Sequence, residues 1–348
     1  MTDRQPPVGA FRAVDGFPAT YGPGVSAGLL DRLEAPVVVT QPEPWELFGA
    51  RLGGPPLAVA MADDLSPGAL DALADSLPPC ATVVGVGGGT AMDVAKWVHG
   101  RRGLALHQVP TLPSVDACFT RMTALRVDGL VRYAGDAVPD VVYVDDDILC
   151  TTPSHLLSAG IGDVLSCHSA LFDWRYAVAR GHDPAWDDEA AGSALRLVDG
   201  LESAAAALRA REPSGVHSLM EMHREIGWRC HELQHARFEE GSEHFFAYCF
   251  EETTGRTILH GELVTLGVLL TAALFDNSPL VPRRIAQRAG TRHTLDALDV
   301  EWAEVEATVR RLSAFVRDGG YWYSPLHELV VTDDVLAAAH EALQPAGG

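Results

Sequence analysis

The chain has 348 residues, of which 47% are hydrophobic, and its formal net charge is −21. This length and hydrophobic content can bury a sizeable core and favour two domains. An acidic surface repels nucleic acid and anionic membranes, so we expect neither as a partner. No apolar run is long enough to cross a bilayer.

The cysteines and the amino-terminal residues indicate in which cellular compartment the protein is expected. Six cysteines are scattered without a C-x-x-C pair, which is typical of a reduced protein rather than a disulfide scaffold. Residues 1–7 lack a basic region followed by an apolar stretch and so predict no export signal. We therefore expect a cytoplasmic protein that acts on a small molecule, and the sequence leaves a homodimer open.

Strand-like and helix-like segments alternate over the first 150 residues. Short apolar runs predict strands at 36–40, 57–61, 82–86, 105–110 and 141–144, with helices such as 67–77 and 90–99 between them. This alternation is typical of a parallel, Rossmann-like sheet covered by helices. Ligands of such sheets bind beyond the carboxyl ends of the strands.

The pattern changes to helical periodicity after about residue 150. Helical segments are predicted at 154–180, 187–211, 214–235, 240–252, 259–275, 282–290, 301–316 and 333–343. We predict an α/β amino-terminal domain over residues 1–152 and an all-α carboxy-terminal domain over residues 153–348.

The sequence GGGTAMDVAK at residues 87–96 follows a predicted buried strand and opens a helix. Glycine lets a phosphate approach the backbone, and bare N–H groups at the positive end of the helix dipole attract anions. The G-x-G-x-x-G dinucleotide motif would need a glycine at Met92, so this pattern differs from it. The segment favours a phosphate-binding turn, although a glycine-rich turn without a ligand has the same appearance.

Three polar residues lie in apolar helical segments, each close to a glycine: Asp163, His244 and His260. A carboxylate and two imidazoles on separate helices can converge on one divalent cation and leave coordination positions open. A single buried histidine is more often a hydrogen-bonded core residue. Three such residues together favour a metal site.

A competing pattern, HELQH at residues 231–235, matches the H-E-x-x-H helix of zinc peptidases. In that hypothesis His231 and His235 bind zinc, and Glu232 acts as the base. The 14 histidines of the chain make a chance match realistic, and a phosphate-binding turn has no role in a peptidase. A third option is that His235 lines an active site without binding metal.

These motifs together resemble one superfamily, which comprises metal-dependent polyol dehydrogenases, iron-type alcohol dehydrogenases and dehydroquinate synthase. Its motifs recur in order as GGG at 87–89 with Asp93 and Lys96, VPT at 109–111 with Ser114 and Asp116, GIGD at 160–163, GSEH at 241–244 and HGE at 260–262. The segment DVLSCHSALFDW at 163–174 is most similar to the sn-glycerol-1-phosphate dehydrogenase family. The resemblance covers about residues 20–275 and implies a dehydroquinate synthase-like fold.

The resemblance implies roles for particular residues. The nicotinamide dinucleotide would be held by Gly87, Gly88, Gly89, Thr90, Asp93, Thr111 and Thr120. The metal ligands would be Asp163, His244 and His260, and Asp116 would orient a substrate hydroxyl, which completes the predicted catalytic set. The strand 36–40 ends in Thr40-Gln41-Pro42 without a carboxylate at these positions, so both NAD(H) and NADP(H) are compatible. Zinc is the expected metal, ahead of nickel and iron.

Some residues have simpler explanations. Asp93 could only cap its helix, and Lys96 could be solvated. Arginines at four positions are candidate partners for an anionic substrate group, although a surface position is the simpler expectation for each: Arg121, Arg126, Arg132 and Arg237.

Two departures from the superfamily narrow the hypothesis. Cys167 stands where iron-type alcohol dehydrogenases often carry another histidine, which favours a three-ligand site. FTRM at residues 119–122 replaces the Gly-Gly-Lys-Thr segment of dehydroquinate synthase, so the lysine that would bind a phosphorylated ring precursor is missing.

The predicted function is that of a metal-dependent NAD(P)(H) oxidoreductase. It would reduce a small hydroxyketone or aldehyde to the alcohol, and the resemblance favours a phosphorylated substrate such as dihydroxyacetone phosphate. The alternative is a cyclase of the dehydroquinate synthase type, a lyase that uses NAD transiently. A catalytically silent binding protein with the same fold is a further option.

Overall fold

The computed structural model describes residues 16–127, 129–182 and 184–344. Its contacts group the chain into two compact units. The first holds the described residues up to 157 together with 211–234, and the second holds the described residues of 158–210 and 235–344. The predicted division after residue 152 stays a prediction. The segment 1–7, in which no export signal was recognised, lies outside the described residues.

The strands of the described part are β1 (Ala19–Gly22), β2 (Pro36–Thr40), β3 (Ala58–Met61), β4 (Thr82–Gly87), β5 (Ala105–Pro110), β6 (Thr123–Val127), β7 (Leu130–Ala134) and β8 (Val141–Asp145). Six of them form one parallel sheet in the order β1-β8-β5-β4-β2-β3. Strands β6 and β7 form a separate antiparallel hairpin. The parallel sheet expected from the sequence is confirmed, and β1 and the hairpin add to the predicted strands.

The sheet changes direction between β2 and β4. From β2 the chain proceeds to β3 at one edge, whereas β4 and β5 lead toward β1 at the other edge. The carboxyl ends of β2 and β4 lie side by side, because Thr40 pairs with Val86 and its Oγ1 donates to the Val86 carbonyl oxygen at 2.7 Å. Ligands of doubly wound sheets bind at such a point.

The helices up to the end of the sheet are α1 (Leu29–Arg32), α2 (Pro42–Phe48), α3 (Pro67–Ser76), α4 (Gly89–Arg102) and α5 (Asp146–Leu149). Val83, Val84 and Val86 of β4 are fully buried, as expected for a parallel strand covered on both faces. A Cβ on Gly85 would lie 2.9 Å from the Ala95 Cβ, so glycine there lets α4 pack closely on β4.

The helices after the sheet are α6 (Ser154–Ala159), α7 (Ile161–Leu165), α8 (Cys167–Val178), α9 (Asp188–Arg209), α10 (Pro213–Leu233), α11 (Ser242–Thr254), α12 (His260–Leu274), α13 (Leu280–Ala289), α14 (Leu295–Leu298), α15 (Trp302–Asp318) and α16 (Asp333–Ala342). The predicted helical character of this part is confirmed. The predicted helix 154–180 is divided into three, and α10 groups with the first unit.

Helix α12 is apolar around its whole circumference, which fits its almost complete burial in the second unit. Within the described ranges, every helix falls short of the length and apolar character that a bilayer crossing requires. All six cysteines are free thiols.

Candidate metal and nucleotide sites

Asp163, His244 and His260 come together inside the second unit. One ligand atom of each lies within 4.8 Å of the others. The Asp163 Oδ1 atom is 3.7 Å from His244 Nε2 and 3.5 Å from His260 Nε2. The side chains of Asp163 and His244 are buried, whereas that of His260 is 26% exposed. The cluster therefore has one accessible side.

Glycines explain how three helices bring these side chains together. A Cβ on Gly162 would lie 2.3 Å from the Gly261 carbonyl oxygen, so α7 and α12 touch backbone to backbone beside Asp163 and His260. A Cβ on Gly267 would lie 2.5 Å from the carbonyl oxygen of the residue before His244, so α11 and α12 pack equally closely. Gly162 and Gly261, which stand beside two of the candidate ligands in the sequence, mark the first of these close approaches.

The electrostatic environment of His244 suits a ligand of a cation. Burial lowers the pKa of His244, but hydrogen bonds to Asp163 and Glu243 outweigh burial and hold the pKa well above its usual value. A proton and a cation compete for the Nε2 lone pair, so metal binding releases a proton. One carboxylate and two imidazoles form a donor set that zinc, nickel and iron all accept, and the residues present therefore fit a divalent metal.

The neighbours of Asp163 on the next helix take no part in this cluster. Cys167 is fully buried, and burial raises the pKa of its thiol well above the usual value. His168 Nε2 lies 2.7 Å from the Asn277 carbonyl oxygen, and Asn277 Nδ2 donates to the His168 carbonyl oxygen at 3.0 Å. These positions fit the three-ligand site expected from Cys167.

The zinc-peptidase hypothesis is wrong. Helix α10 ends at Leu233, and Gln234 adopts a left-handed φ of 61°. His235 therefore lies beyond the helix, whereas an H-E-x-x-H site needs both histidines on one continuous helical face. Glu232 forms an ion pair with Arg229 at 2.8 Å.

The glycine turn of the first unit joins the end of β4 to the start of α4. Gly87 has a φ of 147°, and its Cβ would lie 2.9 Å from the Ala91 Cβ. A Cβ on Gly89 would lie 2.6 Å from Val115 Cγ2. Gly88 is the N-cap and offers no side-chain cap, so the N–H groups of the first turn are open to an anion.

Three further predicted residues follow the ends of β4 and β5. The Thr111 N–H donates to the Gly87 carbonyl oxygen at 2.9 Å, and Thr152 Oγ1 donates to the Thr111 carbonyl oxygen at 2.9 Å. Thr90 is half-buried in the first turn of α4, and Asp116 is half-buried before a 3-10 turn at 117–119. The structure brings Thr111 to the glycine turn, and the contacts of all three with a ligand stay predictions.

Buried Asp93 and Lys96 form a polar network with half-buried Thr120. Lys96 Nζ lies 2.8 Å from Asp93 Oδ1 and donates to Thr120 Oγ1 at 2.7 Å, and the Ala124 N–H donates to Asp93 Oδ2 at 3.3 Å. Burial raises the pKa of Asp93 against the opposing charge of Lys96. Lys96 is thus not solvated, and Asp93 lies inside α4 rather than at its cap. The nucleotide contacts predicted for Asp93 and Thr120 stay predictions.

Two of the candidate arginines are buried, so a surface position is wrong for them. The Arg121 Nε donates to Asp136 Oδ1 at 2.6 Å. Arg237 is 0% exposed and donates from Nη2 to the Tyr323 carbonyl oxygen at 3.0 Å. Sequence reasoning missed the buried carboxylates around Arg237, which are those of Asp173, Glu240 and Glu243. Asp173 lies in the motif segment 163–174 and Glu243 in the motif segment 241–244, and this position within motifs was the sequence signal that could have identified them.

Comparison with known proteins places these features in context. Residues 58–153 match the sequence model of a family described as iron-containing alcohol dehydrogenase. Over 191 residues the chain is 34% identical to glycerol-1-phosphate dehydrogenase (NAD(P)+) of Sulfurisphaera tokodaii, which covers 55% of this chain and 54% of the relative. The corresponding protein of Methanothrix thermoacetophila is 29% identical over 254 residues, 72% of this chain and 65% of the relative. The match spans about half the length of the Sulfurisphaera protein and of most other curated relatives that the chain matches.

Solved structures share the fold at lower sequence identity. Glycerol dehydrogenase from Schizosaccharomyces pombe superposes with a TM-score of 0.69 at 19% identity, over 96% of this chain and 91% of that chain. A probable glycerol dehydrogenase from Sinorhizobium meliloti gives 0.68 at 21% identity, over 95% and 97%. These structures confirm the fold, and the family model and the curated relatives confirm the resemblance of the sequence to iron-containing alcohol dehydrogenases and glycerol-1-phosphate dehydrogenases.

Proposed function

We propose that this protein is a metal-dependent oxidoreductase that uses NAD(H) or NADP(H) to reduce a small hydroxyketone or aldehyde to the alcohol. The observation that carries the proposal is the convergence of Asp163, His244 and His260 within 4.8 Å in the second unit. The uncapped glycine turn before α4 supports the nucleotide part, because it offers backbone donors to a pyrophosphate.

The residues divide the chemistry between them. A divalent cation, for which we propose zinc, would act as a Lewis acid on the substrate carbonyl, and the reduced nicotinamide would supply the hydride. Asp163 places its carboxylate between the two imidazoles. The partly exposed His260 forms the side from which a substrate oxygen can approach. Asp116 would orient a substrate hydroxyl.

The first substrate to test is dihydroxyacetone phosphate. The relatives from Sulfurisphaera and Methanothrix are both named for glycerol 1-phosphate, of which this ketone is the oxidised form, and for NAD(P)+. We expect a cytoplasmic enzyme without a nucleic-acid or membrane partner, and a homodimer stays open.

The cyclase alternative has less support. The segment that carries a lysine in dehydroquinate synthase is engaged in internal contacts here. The Phe119 ring lies 6.1 Å from that of Phe17, Thr120 accepts from Lys96, and Arg121 pairs with Asp136. The cation that this segment carries, Arg121, is thus engaged by a carboxylate of the same unit.

A substrate screen on metal-reconstituted protein tests the proposal. NADH or NADPH is supplied with dihydroxyacetone phosphate, dihydroxyacetone or glyceraldehyde, and oxidation is followed at the nicotinamide absorbance band. We expect substrate-dependent oxidation that a chelator abolishes and added zinc restores. Absence of oxidation with every carbonyl would overturn the proposal, and product formation without a net nicotinamide change would support the cyclase.

A further inference from the structure

We propose that Glu243 is a positioning residue that holds the His244 imidazole ready for metal binding. The inference rests on the proposed metal site and adds a residue outside the ligand set. Glu243 Oε1 lies 3.1 Å from His244 Nδ1, and the Glu243 side chain is 0% exposed. The contact uses Nδ1, whereas Nε2 lies on the Asp163 side, 3.7 Å from Asp163 Oδ1, where a cation would be bound.

The Glu243 carboxylate is itself fixed. The Gly241 N–H donates to the same Oε1 atom at 2.6 Å, just before α11 begins. The next N–H group, that of Ser242, donates to Asp173 Oδ2 at 2.6 Å. The helix start thus orders the carboxylate, and the carboxylate orders the imidazole. A buried group with two hydrogen bonds has little freedom to release its partner.

A buried cation compensates part of the charge of this carboxylate. Arg237 is 0% exposed, and its charge acts on Asp173, Glu240 and Glu243. Burying an uncompensated carboxylate is costly, so the buried guanidinium offsets part of the cost of burying the Glu243 side chain next to the ligand. Arg237 Nη2 donates to the Tyr323 carbonyl oxygen at 3.0 Å, which holds the guanidinium in place.

The chemical consequence concerns the imidazole. A carboxylate that accepts from Nδ1–H selects the tautomer whose lone pair is on Nε2 and increases the basicity of that nitrogen. Both effects strengthen a bond from Nε2 to a divalent cation. Loss of such a partner typically weakens metal binding by about 10- to 100-fold.

Metal affinity measured by competition with a chromophoric chelator tests the proposal, using Zn²⁺ and Ni²⁺ alone as probes. We expect Glu243→Ala to weaken zinc binding by about 100-fold and Glu243→Gln by about tenfold, because the amide oxygen keeps the hydrogen bond but not the charge. Thermal unfolding of each metal-free variant identifies any that fails to fold. The isosteric Gln variant keeps the test valid if the Ala variant does not fold.

Glu240→Gln is the matched control. Glu240 is a buried carboxylate of the same network whose Oε1 accepts from Tyr248 OH at 3.0 Å rather than from a candidate ligand. We expect its zinc affinity to stay within about twofold of wild type, so that the two Gln variants separate the loss of a charge that contacts His244 from the loss of a charge elsewhere in the network. Unchanged affinity in both Glu243 variants, or equal losses in Glu240→Gln and Glu243→Gln, would overturn the inference alone. A wild-type chain that binds neither cation would overturn the proposed function as well.

Discussion

Helices α4 and α11 are among those that begin directly after a glycine, and these two use their first turns in opposite ways. Helix α4 follows Gly88, which provides no side-chain cap. Helix α11 follows Gly241, whose N–H is taken by Glu243, and the next N–H is taken by Asp173. The same sequence signal therefore leaves donors open to a ligand in one unit and satisfies them internally in the other.

The difference decides which ligand each helix start can serve. Open N–H groups at the positive end of the α4 dipole suit an anion. Around the α11 start, carboxylates occupy the donors and leave the local charge negative, which suits a cation bound by His244. A glycine before a helix is thus informative only together with the residues that fold back onto it.

The largest expected effect is that of His244→Ala, which removes the candidate metal ligand that α11 contributes. We expect metal content to fall close to zero and turnover to fall more than about 100-fold, because Lewis-acid catalysis contributes several kcal/mol. Nucleotide affinity, which depends on α4, should persist. Elemental analysis, turnover and nucleotide titration provide the measurements.

His168→Ala is the control for this variant. Its imidazole contacts Asn277 instead of the candidate ligands, so metal content should be unchanged even if stability falls. Full metal occupancy in His244→Ala would contradict the assignment of the ligand set.

The second expected effect concerns how α4 is held in place. Lys96→Met leaves Asp93 buried without its cation, and we expect the free energy of unfolding to fall by about 3–5 kcal/mol. Adding Asp93→Asn should restore part of the loss, because the unpaired charge disappears. Urea denaturation measures both variants, and a loss below about 1 kcal/mol would mean that the pair does not tie α4 to the hairpin.

The third expected effect concerns the open N–H groups at the start of α4. A Cβ on Gly88 has room inside the protein, since its nearest neighbour is Leu112 Cδ2 at 3.7 Å, but it would stand in the way of a pyrophosphate. We expect Gly88→Ala to weaken nucleotide binding by about 10- to 100-fold, as overpacking costs about 1–3 kcal/mol. Fluorescence titration with NADH and NADPH measures it.

Gly100→Ala is the matched control in the same helix. A Cβ at Gly100 meets nothing within 4 Å, so the variant should bind nucleotide normally and gain about 0.5–1 kcal/mol of stability. Equal nucleotide affinity in the two variants would refute the anion site at this turn.

The sequence was sufficient where short-range patterns determine the structure. The apolar runs of β2, β4 and β5 predicted the parallel sheet, because strands covered on both faces need continuous apolar side chains. Strand β1, with sequence ATYG, carries no such run. Among the described strands it lies at the edge of the sheet and pairs with β8, so long-range pairing rather than local composition forms it.

The candidate metal ligands were predictable because each stood in an apolar segment beside a glycine. The burial of Glu243 and Arg237 was not, since each is charged in sequence and Arg237 interacts with Tyr323 and Asp173, which are distant along the chain. The end of α10 at Gln234 was hidden for a related reason. A left-handed residue within a helix-like pattern leaves little trace when it is not glycine.

The smallest expected effect is a pH dependence at the α11 start. Burial and the nearby Glu243 charge raise the pKa of Asp173 to about 7, while the unfolded chain keeps the usual lower value. The folded protein then binds the extra proton, so this group stabilises the fold at low pH and the contribution is lost as pH rises through about 7.

Asp173→Asn keeps an oxygen acceptor for the Ser242 N–H but cannot ionise. We expect its stability relative to wild type to increase by on the order of 1 kcal/mol between pH 5 and 8. If the difference in unfolding free energy between the two proteins does not change with pH over this range, Asp173 is charged throughout. The buried carboxylates at this helix start would then be stabilised in their charged form by nearby cations and donors, and the contrast with α4 would lose its electrostatic basis.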